Sequence, residues 1–115
     1  MARVFVIQDP GIARDFSSAL DYGSLIFILE KNDRPSYDPK IVHKKIRDSL
    51  FNNFSSEDYI IWAGGDPMAP VLVGIVLREI GFDKFKNLRW ERVRDKNKRR
   101  TGDGYYVPVT VELAK

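Results

Sequence analysis

The stretch Asp58-Tyr59-Ile60-Ile61-Trp62-Ala63-Gly64-Gly65-Asp66-Pro67 decides how the chain reads, and Met68-Ala69-Pro70-Val71-Leu72-Val73-Gly74-Ile75-Val76-Leu77 follows it directly. Residues 58–63 form a short apolar run of aromatic and β-branched side chains, as in a strand covered on both faces. Two glycines and Asp66-Pro67 then break the run. The apolar segment 68–80 reads as a helix stopped by Gly81. Strand, tight turn and helix in that order make half of a parallel crossover, so the fold is α/β.

Working outward, Val4-Phe5-Val6-Ile7 is a second doubly covered strand, closed by Gln8-Asp9-Pro10-Gly11. A single helical turn fits residues 16–20, and Ser24-Leu25-Ile26-Phe27-Ile28-Leu29 is another apolar strand. Asp38-Pro39 opens a helix: Asp is a good N-cap, and Pro suits the first helical position because its missing N–H had no partner there. Val42, Ile46, Leu50 and Phe54 recur every fourth residue, Ile41 and Phe51 widen the stripe, and Lys44 and Lys45 face water, so the helix spans 39–54. Residues 87–93 and 105–113 read as two strands around a polar tip. In the second, Tyr105, Val107, Val109, Val111 and Leu113 alternate with Tyr106, Pro108, Thr110 and Glu112. Pro108 confines that strand to a sheet edge.

The resulting order predicts one α/β domain over residues 1–115, with two main helices on a mixed five-stranded sheet. Right-handed crossovers give the strand order 2-1-3-4-5, and a C-terminal β-hairpin makes the last strand antiparallel. Helix 68–80 is apolar almost all round and needs cover on more than one side. Gly74 within it predicts either a self-associated dimer or a helix–helix contact at that glycine.

Composition narrows the chemistry. The chain has no cysteine, which excludes disulfides, thiolate metal sites and a Cys nucleophile, and its one histidine, His43, excludes a multi-His metal site. No Ser, Asp or Glu is placed by local spacing to orient His43, so no catalytic or metal residue is assigned and no cofactor is expected. The acidic residues Asp9, Asp15, Asp21, Asp58 and Asp66 follow no metal-ligand spacing, although several sit at strand ends and could converge on one rim. No apolar run approaches the ~18 residues that cross a bilayer, and the N-terminal run is too short for a signal peptide. The expectation is a cytoplasmic domain with no membrane partner.

Three features together resemble a group of small, functionally uncharacterised proteins encoded in bacteriophage genomes. They are Ala2-Arg3-Val4-Phe5-Val6-Ile7-Gln8, the block at 58–67 with its apolar helix, and Leu88-Arg89-Trp90-Glu91-Arg92 followed, after a variable hairpin, by Tyr106-Val107-Pro108-Val109. The resemblance implies a phage-type protein of this length and fold, acting in the host cytoplasm. It brings no activity and no catalytic residue.

Charge supplies the functional hint. The chain carries 19 basic and 16 acidic residues for a net +3, yet residues 84–100 alone hold nine basic side chains against Glu91 and Asp95. That segment is +7 and the rest of the chain −4. Arg92, Arg94, Lys96, Lys98, Arg99 and Arg100 on a two-stranded arm, with its tip at 94–104, could follow a polyanion, and Trp90, Tyr105 and Tyr106 stand at its base as stacking partners. The leading expectation is therefore a non-enzymatic accessory protein that binds nucleic acid or an acidic protein surface. A bland alternative is a solvated loop whose charge serves solubility. A second reading is an interaction module or homodimer acting through helix 68–80, with a host protein as partner. A third is a nucleotide- or phosphate-handling site at Gly64, Gly65 and Asp66, where a strand meets a helix N-terminus. Against the third, no Lys or Ser/Thr follows the glycines, and Asp66 as a cap would itself occupy the free amides.

Overall fold

Why the first strand is central is plain from its side chains: Val4, Phe5, Val6 and Ile7 are all at most 1% exposed, and they alternate between two separate cores. A computed structural model describes residues 2–11, 16–63, 65–94 and 100–112. The chain runs β1 (Arg3–Gln8), a 3-10 turn (Ser17–Asp21), β2 (Ser24–Leu29), α1 (Pro39–Leu50), β3 (Tyr59–Ile61), α2 (Met68–Glu79), β4 (Lys84–Arg94) and β5 (Arg100–Glu112). The sheet order is β2-β1-β3-β4-β5, parallel except for the antiparallel β4–β5 pair, as the right-handed crossover rule predicts.

Both crossovers step in the same direction along the sheet, so both helices lie on one face. There Phe5, Ile7 and Ile60 pack against Val42, Ile46 and Leu50 of α1 and Leu72, Val73, Val76 and Leu77 of α2. Among the described residues, the opposite face is covered by the 3-10 turn and its flanks. Ala19, Phe16 and Tyr22 close a second core there with Val4, Val6, Ile61, Leu88 and Tyr106. Phe16 meets Phe27 of β2 at 5.8 Å and Tyr106 of β5 at 6.3 Å between ring centroids, so one segment spans the two edge strands.

Several boundaries differ from expectation for physical reasons. α1 stops at Leu50, Phe51 turns extended and Asn52 takes φ 63°, which swings Phe54 back under Phe5 and Phe82. The stripe therefore holds at Phe54 without a helix, while Ile41 and Phe51 lie 60% and 51% exposed instead of widening it. Asp38 takes the cap position, but its side chain makes no capping bond. β3 is shorter than 58–63 at both ends: Asp58 accepts from the Arg3 N–H at 2.8 Å and from the N–H and Oγ of Ser55 at 2.8 and 3.3 Å, and the Ala63 N–H turns back to the Ile61 carbonyl at 3.1 Å. β4 and β5 are longer than read, since a ladder between neighbours sustains strands through polar residues; Leu113 lies outside the described residues.

Gly81 ends α2 as expected. At φ 96° it lets the Phe82 N–H reach the Leu77 carbonyl at 2.8 Å and its own N–H reach that of Arg78 at 3.1 Å, the paired bonds of a Schellman turn. The expected contact at Gly74 is absent: a Cβ built there would meet nothing within 4 Å. The sheet covers one side of α2 and α1 a second, and the third side stays open, with Val71 54% and Ile75 46% exposed.

Candidate functional site

Beyond the three residues of β3, β4 continues with β5 as its strand partner. β4 pairs with β3 only at Lys86 and Asn87, yet its ladder with β5 continues through Arg92↔Gly104 to Arg94↔Arg100, with an irregularity between Arg92 and Arg94. From Leu88 to Arg94 the pair runs on for about 20 Å at ~3.3 Å per residue. It lies within residues 84–100, which hold nine basic side chains against two acidic ones.

Each predicted residue of this arm has a defined fate. Arg92 is exposed, and Arg89 beside it holds Glu91 at 2.9 Å. Lys86 is built into the fold, donating to the Glu57 carbonyl at 3.1 Å and lying 4.2 Å from the Tyr59 ring centroid. Arg94 and Arg100 are ladder partners, while Lys96, Lys98 and Arg99 fall outside the described residues. The aromatic base differs from expectation. Tyr106 is 3% exposed and packs edge-on against Trp90 at 5.0 Å, so its ring serves the second core and offers no open face for stacking. Gly104, opposite Arg92, leaves room for Trp90, whose ring carbons would sit 2.5 Å from a Cβ there.

The reversal follows from which face of β5 has cover. Residues paired across strands share a face, so Tyr105, Val107, Val109 and Val111 lie on the helix side with Phe85. At this edge β5 packs on β4 and the 3-10 turn, and Tyr105 and Val109 stay 47% and 38% exposed. Tyr106 points instead to the side the 3-10 turn closes. The Ser18 Oγ accepts from the Tyr106 N–H at 3.0 Å, and the Tyr22 hydroxyl donates to the Tyr106 carbonyl at 3.3 Å.

A second region lies at the carboxyl ends of the parallel strands, where the connections from β1 and β3 leave in opposite directions and α/β sheets open a crevice. It holds about 300 Å³ and is lined by Gln8, Asp9, Lys31, Arg34, Tyr37 and Asp66, among others. Asp9 and Asp66 converge here, while Asp58 sits at the other end of the sheet, tied to Arg3. The crevice is wired by its own charges. Gln8 donates to the Glu30 and Asp33 carbonyls, and Asp33 accepts from the Glu30 N–H and pairs with Lys45 at 2.6 Å. Burial pushes the Asp33 carboxyl up, but the Lys45 hydrogen bond, the Glu30 amide and the Lys45 charge outweigh it and hold it below its ordinary value. Asp66 accepts from Ser36 Oγ at 2.6 Å, and from the N–H groups of Ser36 and Met68 at 2.9 and 3.0 Å. Those bonds, the Ser36 hydroxyl foremost, hold its carboxyl low.

The Gly64–Asp66 reading thus meets a carboxylate already seated on the first amide of α2, that of Met68, with Gly65 exposed beside it and Gly64 outside the described residues. Among the described residues, no group of three or more His, Cys, Asp and Glu side chains is placed to hold a metal ion. Local spacing missed a partner for His43: its Nε2 lies 3.0 Å from Glu79 Oε1, joining α1 to α2 across 36 positions of sequence. Among the described residues no helix is long and apolar enough to cross a membrane.

Fold and strand pair together define a small single-domain α/β protein with a two-stranded extension of strongly basic sequence. The chain belongs to the Phage Pam3 gp32-like protein family, which matches residues 2–112 and makes it a small phage-encoded protein. No curated protein and no solved structure matches it.

Proposed function

We propose that the protein binds a polyanionic partner through the β4–β5 strand pair. The observation that supports this is the ladder continuing to Arg94↔Arg100 after the pairing of β4 with β3 has ended at Asn87, in a segment of net +7. A charge of that size attracts a polyanion over a Debye length and releases its counterions on contact. The test is a salt series with duplex DNA and with poly-glutamate, using the parent and a Lys96→Ala, Lys98→Ala, Arg99→Ala, Arg100→Ala variant. Log affinity for DNA falls linearly with log salt in the parent, and the variant's slope is shallower by up to about 4 × 0.9. Parent affinity and parent salt dependence in the variant would leave the charge a solubility feature.

The open side of α2 favours a second reading, self-association through Met68, Val71 and Ile75. Sedimentation equilibrium of the parent and of Val71→Glu separates the two: a dimer lost in the variant supports this reading, and a monomer at all concentrations removes it.

A further inference from the structure

We infer that β4 receives an extended, acidic segment of another protein as an added strand along the edge it leaves open past β3. The inference rests on the polyanion reading above and narrows the partner to a polypeptide. Three observations carry it, beginning with the direction of the backbone. The N–H and C=O of Tyr106 go to Ser18 and Tyr22, away from β4, so Trp90↔Tyr106 is a pair without mutual hydrogen bonds. Trp90 therefore also turns its backbone groups outward, toward the β3 side, and Leu88 and Arg92 share that orientation two residues away on either side. Past Asn87 that side of β4 has no strand partner among the described residues.

The second observation is that the other edge of the pair is obstructed at Tyr106 and Pro108. Ser18 and Tyr22 occupy the outward groups of Tyr106, and by the same alternation the N–H missing at Pro108 is an outward one. The third is the surroundings of the open edge. A cavity of about 180 Å³ adjoins it, lined by Trp62, Asn87, Arg89 and Trp90 among others, and the buried Asn87 Oδ1 has no hydrogen-bond partner among the described residues. Strand addition needs these parts: a ladder edge for affinity and a pocket for alternate side chains.

Charge selects the occupant. A second copy would bring its own +7 segment alongside and be repelled, whereas an acidic strand is attracted. Nucleic acid would use the charge but not the ladder edge, and the buried Tyr106 ring gives its bases no platform. Arg89 and Trp90 lie on opposite faces of β4, so an added strand alternating carboxylates with apolar side chains satisfies both.

The experiment uses the full chain and three probes: the peptide acetyl-(Glu-Val)4-amide, the same peptide N-methylated at alternate residues, and the single strand dT20. The expected result is saturable binding of the parent peptide that slows amide exchange at Trp90 and Arg92 at least tenfold. N-methylation in the productive register weakens it at least tenfold at unchanged charge. Arg92→Pro also weakens the peptide at least tenfold beyond Arg92→Gln, while the two variants bind dT20 alike. Equal binding of parent and methylated peptides, or unprotected amides at Trp90 and Arg92 under saturation, overturns strand addition and leaves the polyanion reading in place. Binding of dT20 alone overturns it in favour of nucleic acid. No binding to either anion overturns both.

Discussion

In the crevice at the carboxyl ends of the parallel strands, the acidic groups are tied to neighbouring loops. Asp9 accepts from the Gly11 N–H, Asp33 from Glu30 and Lys45, and Asp66 from Ser36 and Met68. Across the strand pair, residues 84–112 carry nine basic side chains against Glu91, Asp95, Asp103 and Glu112, and Arg89 already holds Glu91. The two regions teach that the location of charge matters less than whether the fold consumes it. Carboxylates that hold loops together have little capacity left for a ligand, whereas the polyanion proposal starts from basic residues that outnumber their acidic neighbours in sequence.

The contrast between a load-carrying body and an extension sets the order of the expected effects. Leu50 is fully buried in the helix-side core, so Leu50→Ala should cost about 2–5 kcal/mol in urea denaturation. A loss below about 1 kcal/mol would place α1 outside the body. Asp58→Ala comes next, because Asp58 is 1% exposed and its removal leaves the N–H groups of Arg3 and Ser55 without their acceptor. At about 1–3 kcal/mol per orphaned buried donor, and with both donors only half-buried, the loss should be about 2 kcal/mol. No change would mean that water replaces the carboxylate at this end of the sheet.

Two glycines sharpen the comparison within the body. Gly74→Ala should stabilise the chain by about 1 kcal/mol, the helix-propensity difference, because a Cβ there meets nothing. Gly23→Ala should destabilise it, since the Cβ would stand 2.3 Å from the Ala2 carbonyl oxygen, which is backbone and cannot move aside. A loss of stability or a change of oligomeric state in Gly74→Ala would reveal that another molecule covers this side.

In the crevice, Ser36→Ala removes the hydroxyl that does most to hold the Asp66 carboxyl low, so its titration by NMR should move up toward the ordinary aspartate value. The folded-state pKa is depressed, so the stabilisation is present at neutral pH and is lost on acidification through the folded value. In Ser36→Ala that acid-sensitive contribution shrinks; an unmoved titration would mean the two N–H bonds suffice. The smallest stability effect belongs to the extension: the fourfold alanine variant at 96, 98, 99 and 100 should change unfolding by less than ~0.5 kcal/mol. A larger loss would show these side chains to be part of the body after all.

How much of this was legible beforehand depended on whether the cause was local. The absence of alternation in Val4-Phe5-Val6-Ile7 marked a strand covered twice, the four-residue spacing of Val42, Ile46 and Leu50 marked the buried face of α1, and Gly81 marked the end of α2. Pro108 marked an edge, and the handedness of crossovers then ordered the sheet. The excess of positive charge between residues 84 and 100 is also a property of the chain alone. These features act within a few residues or through general chirality, so a one-dimensional pattern carries them.

Long-range contacts decided the rest. The apolar row of β5 at 105, 107, 109 and 111 looked like its core face, but the 3-10 turn closes the other side and buries Tyr106 instead. Glu79 reached His43, Asp66 reached Ser36 and Asp33 reached Lys45 through loops that no spacing rule connects. The early end of β3, which leaves one edge of β4 open, goes with the Ala63 N–H turning back to the Ile61 carbonyl at 3.1 Å. Local pattern determines which residues prefer a face; only the closing of distant segments on one another determines which faces, edges and charges are left for a partner.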